Sequence, residues 1–506
     1  MSVARVHTAQ PSVLGADIVT VETDLSRGLY SFAIVGLPGK AVEEARDRLA
    51  SAIKNSGFTS PKSHNHKVVI SLAPADMKKE GPLFDLPMAI GYLIASEEVR
   101  GNIEKTLFVG ELALDGSLRS VRGVLPVVRE AKRRGFTEVI VPKENTLESA
   151  LIPDIKTFGA STLLDVIRHI DHTRDDYRKL RESPRTLLGN EWDDTAVRLE
   201  DIRGQESAKR GLIISAAGRH NVIFVGPPGT GKTMLARALP GILPPLSVDE
   251  ALEVTSIHSV AGASSGITTR PPFRAPHHTA SHTSLVGGGT NPKPGEVTLA
   301  HRGVLFLDEF PEFERRSIDA LRQPLEDRIV SITRVHSSVL FPADFILIAA
   351  MNPTRGGDER GDYALQMLET YKNKISGPIL DRIDLWLPVP HVDYDTLTEK
   401  RDVHALPDET KQAREQIQKA REKQAVRLKG RGPQTNAEMT SRDIEACIEL
   451  SESVMTLLRS AAEKLGLSPR SYHRLIKVSQ TIADLDDAPV IRDAHVLEAL
   501  QYRMKQ

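Results

Sequence analysis

The chain has 506 residues, with 66 Lys and Arg against 67 Asp and Glu, for a net charge of −1. At ~150 residues per domain this length points to about three domains, and a field so near neutral argues against whole-surface attraction to nucleic acid or membrane. Cys447 is the only cysteine, which excludes an intramolecular disulfide and any zinc site needing two or more thiolates.

No apolar run approaches the ~18 residues of a membrane span, and the opening MSVARVHTAQPS lacks the apolar core of a signal peptide. The expectation is a soluble, cytoplasmic protein with no membrane partner. Residues 1–170 interleave β-rich runs (ADIVTVETDL, YSFAIVGL, HKVVISLAP, TLFVGELAL, TEVIVP) with helical patterns such as KAVEEARDRLASAIKNSG, an α/β domain without a phosphate loop. From 171 to 197 polarity rises and the apolar rhythm fades, as in a linker. Residues 198–393 alternate strands and helices again, and 394–506 are helical to the end.

The chemistry begins in the third of these segments. NVIFV reads as a buried strand, and GPPGTGKT follows it before the helix TMLARALPGIL. Gly226, Pro227, Pro228, Gly229, Thr230, Gly231, Lys232 and Thr233 then form a phosphate loop: backbone N–H groups face the phosphates at a helix N-terminus, Lys232 reaches the β- and γ-phosphates, and Thr233 ligates Mg²⁺. GVLFLDEF is a second buried strand ending in two acids, with Asp308 placed to hold Mg²⁺ and Glu309 to polarise the attacking water. FILIAAMNP is a third, ending in Asn352, which suits orientation of that water; a turn Asn before Pro353 is the plainer alternative.

Together with DIRGQ at 201–205 and the helical C-terminus, these motifs resemble the AAA+ class of P-loop ATPases with a helical lid. The resemblance implies an arginine finger at Arg382 in SGPILDRIDL, reaching a neighbouring subunit's nucleotide; an ion pair with Asp381 or Asp384 is the alternative. In the lid, SPRSYHRLIKVSQ resembles a sensor-2 helix, with Arg470 as the phosphate contact and Arg474 as the alternative. A ring follows from a finger that acts across an interface, and the family expectation is a homo-hexamer. RPPFRAPHHTASHTSLVGGGTNPKPGEVTLAHRGVLFLDEFPEF resembles the magnesium-chelatase-like AAA+ family, and GLYSFAIVGLPGKAVEEARDRLASAIKNSG with SLAPADMKKEGPLFDLP resembles its ComM/YifB branch. That branch implies ATP and Mg²⁺ as cofactors and single-stranded or branched DNA as partner, moved in branch migration during natural transformation.

The N-terminal domain is similar in fold to the Lon protease domain, whose chemistry needs a Ser after Gly-Pro and a Lys to deprotonate it. Here Leu83 follows Gly81-Pro82 and Leu125 takes the place of the Lys, so the domain is expected to be non-catalytic. The cysteine pairs of relatives are missing from NPTRGGDERGDYALQMLETYKNKISG, which argues against zinc there. His277, His278 and His282 invite a metal reading, but no acid or thiolate accompanies them in APHHTASH. The resemblance places this stretch in a helix-2 insert, about residues 264–296, and a predicted hairpin precedes the third strand. Arg270, Arg274 and Lys293 of the insert and Arg334 and His336 of the hairpin are the candidate DNA contacts, with plain ring packing as their alternative. Residues 411–431 carry eight Lys and Arg against two Glu, a run read here as a solvated helix face. A chelatase-type motor subunit driving a protein partner and a regulatory ATPase are the competing functions.

Overall fold

A period of two governs the strand Ala16–Arg27, where Val19, Val21 and Thr23 are buried while the alternating Ile18, Thr20, Glu22 and Asp24 stay partly exposed. In the computed structural model this strand pairs antiparallel with Ala4–Pro11 on one side and His66–Ala73 on the other. Ser31–Val35 continues the sheet at one edge; Thr106–Phe108, Glu138–Pro142 and Lys156–Ala160 continue it at the other, all in parallel, giving seven strands. The helix Lys40–Asn55 spaces Val42, Ala45, Leu49, Ala52 and Ile53 along one buried face, as helical periodicity requires.

The structure describes residues 3–12, 15–63, 65–187, 189, 192–194, 196–263, 267–289, 293–333, 338–352, 375–393 and 408–503. Two compact units divide the chain, one of residues 1–189 with 251–268 and the other of 190–250 with 269–506. These units cut across the boundaries expected above. Leu252 and Ile267, from the segment assigned to the ATPase core, join the apolar core of the first unit, where the Gly123 N–H donates to Ser259 Oγ at 2.9 Å. The stretch expected as a linker is bonded to the same unit as far as Thr186, whose N–H donates to Ala150 O at 3.1 Å. Its weak apolar rhythm follows from how it is held, by backbone hydrogen bonds more than by buried side chains.

The second unit is built on a five-stranded parallel sheet in the order Phe273–Arg274, Val304–Leu307, Ile346–Met351, Val222–Val225, Leu385–Pro388. VLFL and ILIAAM are buried at every position, the signature of central parallel strands covered on both faces. The helices Glu206–Gly218 and Lys232–Ile242 belong to this core, and so do the C-terminal helices: Ala413, Ile417 and Ala420 of Glu409–Arg427 and Leu475 and Ile482 of Pro469–Leu485 share one apolar cluster with Val222, Phe224 and Leu387. At the foot of the sheet Asp344 meets Arg219 at 3.1 Å, Arg302 at 2.8 Å and Arg328 at 3.6 Å. Burial would raise the pKa of this carboxyl, but the guanidiniums outweigh burial and hold it well below the usual carboxylate range. Ile329–Thr333 and Ser338–Pro342 pair antiparallel ahead of the central strand; Arg334 and His336 lie between them, outside the described residues.

Candidate active site

Two of the central strands end level, Val225 opposite Met351, and the third ends two residues earlier, Leu307 opposite Ala349. The residues that follow, Gly226, Asn352 and Asp308, all emerge at the carboxyl edge of this parallel sheet, where open α/β folds bind ligands. A cleft of ≈ 650 Å³ opens there, lined by residues 228–234, Arg237, His277, His278, Asp308, Glu309 and Asn352 among others.

The loop from 226 to 231 needs its glycines for two reasons. Gly229 and Gly231 have φ of +80° and +91°, and a Cβ on Gly226 would run into the carbonyl oxygen of Val389. Gln205 steadies the neighbourhood by donating from Nε2 to Pro390 O at 2.7 Å. Helix Lys232–Ile242 starts directly after the loop, so its unpaired N–H groups and positive dipole end face the cleft. Lys232 Nζ donates to Gly226 O at 2.7 Å and Pro227 O at 2.6 Å. Burial pulls the pKa of this ammonium down, and Asp308 opposes the shift. Thr233 Oγ1 donates to Asp308 Oδ2 at 3.1 Å. A hydroxyl and a carboxylate in contact are the hard oxygen donors Mg²⁺ prefers, so these residues fit that ion.

Glu309 sits at φ +50°, a left-handed conformation that a non-glycine residue adopts at a cost and that clusters at functional sites. The conformation turns its side chain into the cleft, where Oε2 lies 3.1 Å from His278 Nδ1. His278 is fixed in turn by His277, whose ring centroid is 4.1 Å away, and by the edge of Phe313 at 6.5 Å. His278, considered above as a metal ligand, is instead the partner of Glu309, the candidate for polarising the attacking water. Among the described residues no group of three or more His, Cys, Asp or Glu side chains could hold a metal ion. Residues 353–374, which hold nearly all of the stretch lacking the relatives' cysteines, lie outside the described residues. Replacing His278 by Ala is expected to lower kcat for ATP about tenfold, equivalent to ~1.4 kcal/mol of positioning, with KM little changed, and Asn should restore part of the loss. Steady-state kinetics on the three proteins checks this; an unchanged kcat would remove His278 from the site.

Several candidates stand apart from the cleft. Arg382 is buried, and its guanidinium is bonded to Glu326 and to Pro378 O, so its partner is Glu326 and neither Asp381 nor Asp384. Arg470 Nη2 donates to the other oxygen of the same Glu326 at 2.6 Å. One carboxylate thus joins the two arginines, an arrangement with no signal in local sequence. Arg474 is turned to Asp384 at 3.5 Å. Arg270 pairs with Asp193 at 3.0 Å, and Arg274 grips Glu296 with two bonds of 2.6 and 2.7 Å, which leaves Lys293 as an exposed cation of that insert. Arg237, exposed one turn after Thr233, adds a cation to the cleft that the motif alone does not name. In the other unit Leu83 and Leu125 are both buried apolar side chains.

Three family models match the chain: subunit ChlI of Mg-chelatase over residues 21–145, magnesium chelatase subunit ChlI over 198–397, and the C-terminal part of that subunit over 407–503. The competence protein ComM of Haemophilus influenzae is 44% identical over 509 residues, covering 99% of this chain and 98% of the relative. The YifB protein of Salmonella typhimurium is 42% identical over 511 residues, covering 99% and 97%. A shorter similarity, 30% identity over 168 residues and 32% of this chain, joins it to Lon protease 2 of Thermus thermophilus, of which it covers 20%.

Proposed function

The chain belongs to the ComM/YifB family of magnesium-chelatase-like proteins, and from that premise we propose that it is an ATP-hydrolysing ring motor, of six subunits, that moves single-stranded or branched DNA. Its task in this reading is branch migration while incoming DNA is recombined in natural transformation, in the cytoplasm. The observation that carries the ATPase part is the convergence of Lys232, Thr233, Asp308, Glu309 and Asn352 on one cleft. The DNA part leans on the full-length likeness to a competence protein.

Lys232 leaves two carbonyl partners to meet the β- and γ-phosphates of the substrate, an exchange its low exposure favours because charge interactions strengthen away from water. Thr233 and Asp308 would hold Mg²⁺, which neutralises developing phosphate charge when bound. Glu309 accepts the proton of the attacking water once His278 releases its carboxylate, and Asn352 orients that water. Arg382, from a neighbouring copy, and Arg470 stabilise the γ-phosphoryl charge. In the first unit Leu83 and Leu125 offer neither nucleophile nor base, and we read it as non-catalytic. Among the described residues no helix is long and apolar enough to cross a membrane.

The match to a chelatase subunit favours a second reading, an ATPase that drives a protein partner. Steady-state hydrolysis without DNA, with single strands and with four-way junctions separates the two. Severalfold stimulation by DNA, weakened by salt, is expected of the motor. Hydrolysis indifferent to every DNA would overturn it in favour of the protein-driven reading.

A further inference from the structure

The segment that composition marks as a linker forms a strap along the outer edge of the first unit's sheet. Glu182 bridges Phe158 of the edge strand, and Ser183 N–H donates to Thr157 O at 2.8 Å. Further back, Leu180 N–H donates to His169 Nδ1 at 3.0 Å and Arg178 N–H to Arg168 O at 3.0 Å. Burial, with Lys179 and His172 nearby, pulls the His169 pKa down to about 4, so the ring stays neutral near pH 7 and keeps the lone pair that accepts the Leu180 amide. Leu180 packs against the first unit's apolar core, and the anchored backbone leaves Arg178, Lys179 and Arg181 exposed.

These three side chains, with Lys143 and Arg168, line an open groove of ≈ 770 Å³ whose other charged residues are Asp165 and Glu182, five cations against two acids. The excess persists when the one ion-paired cation is set aside, since without Arg168 four cations still face two acids. Asp165 is engaged by the N–H groups of Ser161 at 3.3 Å and Thr162 at 3.0 Å, while Arg168 is the one cation with a carboxylate partner, Asp176 at 2.8 Å. Arg178, Lys179, Arg181 and Lys143 have no carboxylate partner among the described residues, in a chain whose net charge is −1. Like charges gathered in a concave surface repel one another and focus a positive field, a cost that a bound polyanion relieves. No aromatic ring lines the groove, so bases have nothing to stack on and the phosphates are the part it can hold.

We propose that this groove is a sequence-independent contact for the phosphodiester backbone of DNA, separate from the ATPase unit. The proposal rests on the DNA-motor reading for the identity of its polyanion and on the groove's own charge for the rest. The test is binding of the full-length protein to fluorescent single-stranded and duplex oligonucleotides of equal length across a salt series. Removing Arg178, Lys179 and Arg181 together by Ala is expected to weaken binding at least tenfold at ~0.1 M salt. The slope of log K against log salt should fall by about 2 for single strands or about 3 for duplex, and which oligonucleotide shows the loss identifies the form held. Arg178→Lys with Arg181→Lys, which keeps the charge, should retain both affinity and slope. A triple variant with wild-type affinity and slope and an unchanged melting temperature would overturn the groove while leaving the motor reading standing. If the wild-type protein binds neither oligonucleotide, both fall, and an acidic protein becomes the partner to seek.

Discussion

Glu309→Gln is expected to lower kcat for ATP hydrolysis about 10²–10⁴-fold, the usual contribution of a positioned general base, while leaving nucleotide binding near the wild-type level. The amide is nearly isosteric with the carboxylate and can keep one contact to His278, but it cannot take a proton from water. Lys232 keeps its bonds to Gly226 O and Pro227 O, and Thr233 keeps its bond to Asp308. Lys232→Ala makes the instructive contrast, because it removes the phosphate contact and should abolish binding and turnover together. Phosphate release measured beside binding of a fluorescent ATP analogue separates the two variants. Retention of more than a tenth of wild-type turnover by Glu309→Gln would move the role of base to another residue.

Arg382→Ala is expected to lower turnover about 10³-fold, the low end of what an arginine finger contributes. The structure gives this prediction a sharp competitor, since Arg382 is buried and bonded to Glu326 of its own chain. If that pair were its whole role, Glu326→Gln would reproduce the defect and Arg382→Ala would chiefly lower the melting temperature. If Arg382 serves the next subunit, it has to leave Glu326 to do so, and Glu326→Gln should remain active. Mixing adds an independent check. Subunits carrying Lys232→Ala supply a normal finger, and subunits carrying Arg382→Ala supply a normal phosphate loop, so mixed rings should recover activity that neither variant has alone. Absence of recovery, with both variants folded and assembled, would return Arg382 to a structural role.

Glu326 matters to both outcomes for a further reason. It also accepts from Arg470 at 2.6 Å, and so ties the turn after the short helix Gly377–Leu380 to the C-terminal helix Pro469–Leu485. Three groups within one chain share a charge of +1, and withdrawing either arginine leaves the other with the whole carboxylate. Substitutions at the two arginines should therefore not be additive.

What could be read from the order of amino acids was local and contiguous. The phosphate loop is legible because its glycine spacing, lysine and threonine occupy eight successive residues after an apolar run, and backbone conformation there depends on neighbours in sequence. Asp308 and Asn352 are legible for the same reason, each at the end of a buried strand whose composition announces it. The partners of Glu309, Arg382 and Arg470 lie far away along the chain. His278 is 31 residues from Glu309, and Glu326 is 56 from Arg382 and 144 from Arg470. No periodicity encodes such pairs, because they arise when separate elements pack and buried charges must find counter-charges. The basic run at 178–185 illustrates the same division, since its composition is that of a solvated linker. Its placement as an ordered strap follows from hydrogen bonds to an exposed sheet edge, which needs covering whatever the side chains of the covering segment are.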